Sequence, residues 1–459
     1  MTLPALGIDL GLSGARAAVV DRAGRLLGRG RVASALRREA RKAEHAPEAW
    51  QEAAFAAGRQ ALREAGCRGV AGIGVGALGP CPVLLDGEGR PLSPAPLFSL
   101  DNRAEGHRQR LAARMGLGQE DLGPDHALPK LLWWKDEAPA LAARAAIVVD
   151  ATGFIVSRLT GRPVMDPITA GDYRVKGADL PVPIPEPRPA DSLAGPLLPE
   201  AAARLGIEPG APVAVGSYDS FVDVAGTDTL APGEACIVLG STMILGTVVD
   251  RPAATSDMRA SLHIGPGWFF GGWTSSAGSL IDWSKDLLGE SGGEDLPPGA
   301  GGLLALPYFA GERAPVWDPA ARGLLLGLTL ETTKPEIGRA LIDAVALSAR
   351  DLAERLRDVE IRRWRLGGGG ARNAALARAL ADALGRPLEC LADTGEAVAP
   401  ALLAFRAIGH RVDPKIEGVL TPDAARHDRY ERLYRVYRGL YPALAGSMHA
   451  LAKLSQEVS

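Results

Sequence analysis

Leu6-Gly7-Ile8-Asp9-Leu10-Gly11-Leu12-Ser13-Gly14, followed by Ala17-Ala18-Val19-Val20-Asp21, reads as strand, tight turn, strand. Apolar β-formers flank a glycine that lets the backbone turn sharply and present its N–H groups. Half a chain later, Cys236-Ile237-Val238-Leu239-Gly240-Ser241-Thr242 repeats the pattern, followed by Ile244-Leu245-Gly246-Thr247-Val248-Val249. Such a turn cradles a phosphate with backbone donors, and a hydroxyl from Ser13, Ser241 or Thr242 adds another. Two such hairpins in 459 residues predict two similar domains facing one polyphosphate.

The totals agree with two soluble α/β domains. The chain is too long for one core, and its 47% hydrophobic and 23% charged residues are those of a globular protein. A net charge of −3 without a long basic run argues against nucleic acid as a partner. The densest basic stretch, Arg362-Arg363-Trp364-Arg365, is expected to be an exposed strand edge. Cys67, Cys81, Cys236 and Cys390 show no paired spacing, so neither a disulfide framework nor a zinc site is indicated. No apolar run reaches the roughly 18 residues that span a membrane. The first strand begins without a signal-peptide pattern, so the expected location is cytoplasmic.

Along the chain, Pro47 to Glu64 predicts a helix with Trp50, Ala53, Ala54, Ala57, Ala61 and Leu62 on one face. A strand at Gly69–Val75 follows, which gives the order of an α/β domain. Prolines at alternate positions from Pro181 to Pro189 mark an extended connection. A strand at Pro212–Gly216 leads into Tyr218-Asp219-Ser220, and the domain boundary is placed near Thr227, giving domains 1–226 and 227–459. Thr333 and Glu336 have capping-box spacing for a helix to Arg357. Trp364 to Leu366 predicts a strand that breaks into Gly367-Gly368-Gly369-Gly370, then a helix Ala374–Leu384. Asp428 to Leu454 reads as a terminal helix.

Several residues have the chemistry of a phosphate site. Asp9 ends a strand beside the first turn; a carboxylate next to a phosphate calls for a cation between them, and Mg²⁺ suits oxygen ligands. The plainer alternative is an Asp that bonds to its own turn. Asp219 also follows a strand and is placed to take a proton from an attacking hydroxyl, or to cap the helix that begins near Phe221. The glycine run at 367–370 allows a flat ring to approach the backbone, or is a flexible loop. Gly278 and Asp282 lie one helical turn apart and can face one groove.

Taken in order, these motifs resemble those of the FGGY carbohydrate kinases, in the xylulokinase-like pentulokinase branch of the actin-like ATPase superfamily. Asp9 to Gly14 is similar to the family's first phosphate motif and Leu239 to Thr242 to its second. Leu306-Pro307-Tyr308-Phe309-Ala310-Gly311-Glu312-Arg313-Ala314-Pro315-Val316-Trp317-Asp318-Pro319 is close to its Gly-Glu-Arg stretch. Gly323 to Asp343 resembles its C-terminal signature and Gly368 to Asn373 its adenosine motif. Lys130-Leu131-Leu132-Trp133 and Asp101-Asn102-Arg103 fall where pentulokinases have similar residues.

The resemblance implies an α/β fold of two ribonuclease H-like domains with an active-site cleft between them. It implies ATP-dependent phosphorylation of a primary hydroxyl of a ketose or polyol, with Asp219 as general base and Mg²⁺ near Asp9. Gly11, Ser13, Gly240, Ser241, Thr242, Gly278, Asp282, Gly369, Gly370 and Asn373 would hold the nucleotide. Gly79, Pro80, Asp101, Arg103 and Asp219 would face the sugar. The expected partner is a small molecule, with neither nucleic acid nor membrane, and a homodimer is compatible with it. Two departures stand out: Leu12 replaces the usual Thr, and Leu78-Gly79-Pro80-Cys81 replaces Gln-Met-His-Gly, which puts D-xylulose in doubt as the acceptor. The rivals are an actin-like ATPase or an inactive kinase-like protein that acts through nucleotide-dependent partner binding.

Overall fold

The computed structural model describes residues 3–39, 41–118, 122–123, 125–252, 257–289, 293–392, 395 and 397–457. Two compact units divide the chain: residues 1–228 with 394–414, and residues 229–393 with 415–459.

The first unit is built on a seven-stranded sheet. Its strands run in the order Leu193–Pro196, Pro212–Ala214, Gly72–Ala77, Ala5–Gly11, Gly14–Val20, Leu26–Ala33, with Ser217–Tyr218 also pairing with Gly72–Ala77. Ala5–Gly11 is antiparallel to its hairpin partner and parallel to Gly72–Ala77. Side chains alternate across a strand. Leu6, Ile8 and Leu10 therefore enter the core beneath helix Pro47–Glu64, with Trp50, Ala54, Ala57 and Ala61. Ala5 faces the other way and packs with Val398, Ala401 and Phe405 of helix Val398–Ala407. Gly7 and Gly74 let that helix approach closely: a Cβ on Gly7 would lie 2.0 Å from the Ala397 carbonyl oxygen, and one on Gly74 1.9 Å from that of Pro400.

The second unit repeats the plan. Its seven strands run Arg259–Leu262, Trp268–Trp273, Met243–Val249, Glu234–Leu239, Arg363–Gly367, Leu388–Leu391, Ile416–Leu420. Here four antiparallel strands, one more than in the first sheet, precede two parallel pairings and an antiparallel edge. Helices Lys334–Glu354 and Ala374–Leu384 cover this sheet, with Leu341, Val345, Leu376 and Leu380 in its core. The Glu336 carboxylate accepts from the Thr333 amide at 2.8 Å, closing the first turn. Helix Ala424–Glu457 adds Tyr430, Tyr434 and Tyr437 to the same core.

Three details differ from the sequence reading. Segment 394–414 belongs to the first unit although it lies deep in the chain's second half. The strand before Asp219 ends at Ala214 and resumes at Ser217, because Gly216 turns the chain with φ +78°. The basic stretch is no edge. Arg363–Gly367 is an inner strand, and Arg365 is buried. Arg363 pairs with Glu234 at 2.5 Å and Arg365 with Glu389 at 3.4 Å, so carboxylates on both neighbouring strands neutralise it. Among the described residues, no helix is long and apolar enough to cross a membrane.

Candidate active site

The first hairpin closes through a two-residue turn, Leu12-Ser13, with Gly11 opposite Gly14. Gly14 has φ +137°, and a Cβ there would lie 2.1 Å from the Val32 carbonyl oxygen, so only glycine fits. Leu12 and Ser13 are exposed. Asp9 stands opposite Arg16 across the hairpin, and the Arg16 guanidinium donates to its carboxylate at 3.4 Å. The carboxylate therefore pairs across the strands.

Laterally, Asp9 is registered with Gly76, and Gly76 with Ser217. The start of helix Asp219–Gly226 packs over this position: a Cβ at Gly76 would meet Asp219 Cα at 3.6 Å and Val222 at 3.5 Å, ordinary contact distances. Asp219 is the first residue of that helix, and its carboxylate accepts from the Ser220 amide at 2.7 Å. One turn later comes Asp223. Three carboxyl groups thus share one electrostatic neighbourhood. Burial, then the Asp219 carboxylate, push the Asp9 carboxyl up to about 7, against the opposing pull of Arg16. Burial, with Asp9 and Asp219, holds Asp223 well above the usual range. Among the described residues no group of three His, Cys, Asp or Glu is disposed to hold a metal ion by itself. The donor set fits a cation that also takes oxygens from phosphate and water.

Beside this lies the loop Gly79-Pro80-Cys81. A Cβ on Gly79 would lie 2.1 Å from the Tyr218 ring, so the loop packs directly against the residue before Asp219. Asp101 is fully buried and both its oxygens are engaged. One accepts from the Ala43 amide at 2.9 Å and Arg103 Nη2 at 2.6 Å, the other from Arg103 Nε at 2.8 Å. Arg103 also pairs with Glu44 and lies over the Trp133 ring at 5.1 Å. Lys130, one turn before Trp134 in helix Leu128–Glu137, is only 2% exposed. Its ammonium has no hydrogen-bond or ion-pair partner among the described residues. Burial lowers its pKa, Cys81, Asp125 and Asp101 oppose that, and Arg103 adds to it. In sequence this lysine stands only within Lys130-Leu131-Leu132-Trp133, with no local signal of a role.

In the second unit, Gly240-Ser241-Thr242 links Leu239 to Met243, which pair across the hairpin. Helix Gly278–Leu288 docks its start on this turn. The Gly278 amide donates to the Gly240 carbonyl at 3.0 Å, and the Ser279 amide and hydroxyl to Ser241 at 3.1 and 2.8 Å. A Cβ on Gly278 would lie 2.5 Å from the Gly240 oxygen. Asp282 is exposed one turn along. Gly368 and Gly370 cross the end of the same strand: their Cβ positions fall 2.3 Å from the Leu239 oxygen and 3.0 Å from its side chain. Gly369 opens the short turn that follows, and Asn373 caps helix Ala374–Leu384 by accepting from the Leu376 amide at 3.0 Å. Gly240, Gly278 and Gly370 are thus gathered around one strand end. Glu312 is buried nearby, accepting from the amides of Ser275 at 2.6 Å and Arg313 at 2.8 Å, and its carboxyl is pushed up to about 7 by burial.

Comparison with known proteins gives a family. The N-terminal domain of the FGGY family of carbohydrate kinases matches residues 4–175, and its C-terminal domain residues 235–408. The chain is similar to the xylulose kinase of Escherichia coli (strain K12), 27% identical over 96% of this chain and 99% of that protein. It is also similar to the gluconokinase of Bacillus subtilis (strain 168), 26% identical over 57% of this chain and 59% of that one. Among solved structures, the xylulose kinase from Rhodospirillum rubrum superposes with a TM-score of 0.82, 26% identity, and coverage of 97% and 100%.

Proposed function

We propose, given that the chain belongs to the FGGY family of carbohydrate kinases and so phosphorylates a sugar or polyol, that it transfers the γ-phosphate of MgATP to a primary hydroxyl of a ketose or polyol. The observation that carries this reading is the convergence of Asp9 and Asp219 on the two sides of Gly76, next to a glycine turn. In the reaction the hydroxyl oxygen bonds to the γ-phosphorus, the bond to the β-phosphate oxygen breaks, and ADP departs. Asp219 accepts the hydroxyl proton. Gly11, Ser13, Gly240, Ser241 and Thr242 present N–H and O–H donors to phosphate, and Mg²⁺ beside Asp9 neutralises phosphate charge. Gly278, Asp282, Gly369, Gly370 and Asn373 hold the nucleoside part.

The loop Gly79-Pro80-Cys81 faces the acceptor with backbone and apolar surface. Lys130 supplies the buried donor that a hydroxyl or carbonyl oxygen can satisfy. Asp101 acts by holding Arg103 in place. Without His or Gln in the loop, D-xylulose is not the preferred acceptor, and another ketopentose such as ribulose, or a related polyol, serves at least as well. The test is ADP release with MgATP over a panel of ketoses, polyols and aldonates. Acceptor-dependent turnover supports the reading; ATP hydrolysis indifferent to every acceptor overturns it.

A further inference from the structure

Asp150 precedes helix Ala151–Thr160 and is 1% exposed. One carboxyl oxygen accepts from the Cys81 amide at 2.6 Å and from the Tyr173 hydroxyl at 2.8 Å. The other is buried without a partner, as is the Tyr218 hydroxyl. That second oxygen lies 2.8 Å from where a Gly79 Cβ would stand, on the side where the Tyr218 ring also packs. Two residues on, the Thr152 hydroxyl donates to the Ser217 carbonyl at 2.9 Å, and the Ser217 hydroxyl donates to Asp166 at 3.0 Å. One helix start therefore grips both the Gly79–Cys81 loop and the strand that delivers Asp219.

We propose that Asp150 is a positioning residue of the acceptor site, fixing the Gly79–Cys81 loop against Tyr218 so that an acceptor hydroxyl is presented to Asp219. This rests on the reading that the loop faces the acceptor. A buried acceptor of two donors cannot be deleted without leaving both donors unsatisfied, so the loop loses its register when Asp150 goes. The group works as a neutral acid. Burial, with Asp166 and Asp172 adding repulsion, pushes its carboxyl up to about 8, against the Tyr173 and Cys81 hydrogen bonds. The other titratable groups facing it are the Cys81 thiol and the Tyr218 hydroxyl, both raised well above their ordinary values by burial. Lys130 acts on the Cys81 side. Ionising Asp150 would bring a charge into a buried site where only one of its two oxygens has donors.

The experiment uses the full chain with the acceptor that gives the fastest ADP release. Asp150→Ala should raise the acceptor KM at least ~10-fold while the ATP KM changes less than about twofold. Asp150→Asn keeps an oxygen for both donors and should restore the acceptor KM to within about threefold at pH 7. From pH 7 to 9 the wild-type acceptor KM should climb about tenfold, as expected for a carboxyl ionising near 8, and that of Asp150→Asn should stay flat. An unchanged acceptor KM in Asp150→Ala, or the same pH curve for Asp150→Asn as for wild type, overturns the proposal. Should Asp150→Ala fail to fold, the pH comparison alone decides. No acceptor-dependent turnover by the wild type overturns the proposed function and this inference together; an active wild type with unmoved variants overturns this inference alone.

Discussion

Asp9 and Asp219 reach each other through a glycine: Asp9 is registered beside Gly76, and a Cβ on Gly76 would lie 3.6 Å from Asp219 Cα. Their mutual repulsion, on top of burial, holds the Asp9 carboxyl at about 7 without a cation. A cation needs the ionised form, so the apparent Mg²⁺ affinity at fixed MgATP-forming conditions should rise about tenfold per pH unit below 7 and level off above 8. Stability moves the opposite way. A carboxyl whose folded pKa is raised contributes full stability below the ordinary carboxylate range and loses it as pH rises through about 7. The metal-free protein should therefore melt lower at pH 8 than at pH 5 through this group. Asp9→Asn should abolish the pH dependence of Mg²⁺ use, and an unaltered Mg²⁺ titration in that variant would contradict the assignment.

Leu12 is 41% exposed, so replacing it removes little packing. Leu12→Thr should leave the melting temperature within about one degree, and strengthen ATP binding by ~0.5–1.5 kcal/mol, the net worth of one hydrogen bond. A melting scan beside an ATP titration checks both. A drop in stability with no gain for ATP would show that the side chain packs in a way its exposure does not suggest.

The two sheets were legible because their decisive elements are local. Both hairpins carry their turn chemistry in sequence, and helix Pro47–Glu64 follows directly from its apolar spacing. The return of helix Val398–Ala407 to the first sheet was not legible: it rests on small residues on both sides, Gly7 and Gly74 beneath Ala397, Pro400 and Ala401, and no periodicity reports which distant strand a helix will meet. Arg363 and Arg365 looked like an edge because the carboxylates that neutralise them, Glu234 and Glu389, come from strands far apart in sequence. For the same reason Asp150 passed unnoticed. A single Asp before a helix signals a cap, yet here its carboxyl oxygen accepts from the Cys81 amide, 69 positions away.

Gly278→Ala tests the docking of helix Gly278–Leu288 on the second turn. The added methyl would meet the Gly240 carbonyl oxygen at 2.5 Å, and relief requires shifting backbone on one side. Overpacking of this kind costs about 1–3 kcal/mol. The variant should unfold at lower denaturant and show a raised KM for ATP with the acceptor KM unmoved. Unchanged ATP kinetics would remove Gly278 from the nucleotide site.

Lys130→Met separates function from stability. Taking away a buried ammonium that has no partner among the described residues should leave the melting temperature equal or higher. If the ammonium binds the acceptor, the acceptor KM should rise at least ~10-fold, corresponding to ~1.4 kcal/mol. A stabilised variant with wild-type acceptor KM would show that the lysine plays no part in binding.

Acceptor choice follows from the loop. Sites that hydrogen-bond a hydroxyl reject analogues lacking it strongly, whereas apolar pockets do so weakly. The Gly79-Pro80-Cys81 loop should therefore discriminate modestly among ketopentoses and polyols, with ribulose or a related polyol used at least as well as D-xylulose. A preference for D-xylulose above ~10-fold in kcat/KM over every other sugar would contradict this.

The most direct measurement is acceptor-dependent phosphoryl transfer by Asp219→Asn beside wild type, with MgATP binding measured on the same samples. An amide in place of the carboxylate cannot take the hydroxyl proton, and general-base contributions are ~10²–10⁴-fold. The kcat should fall by that range, with the dissociation constant for MgATP within about twofold. A variant that retains more than about a tenth of wild-type turnover would contradict Asp219 as the base.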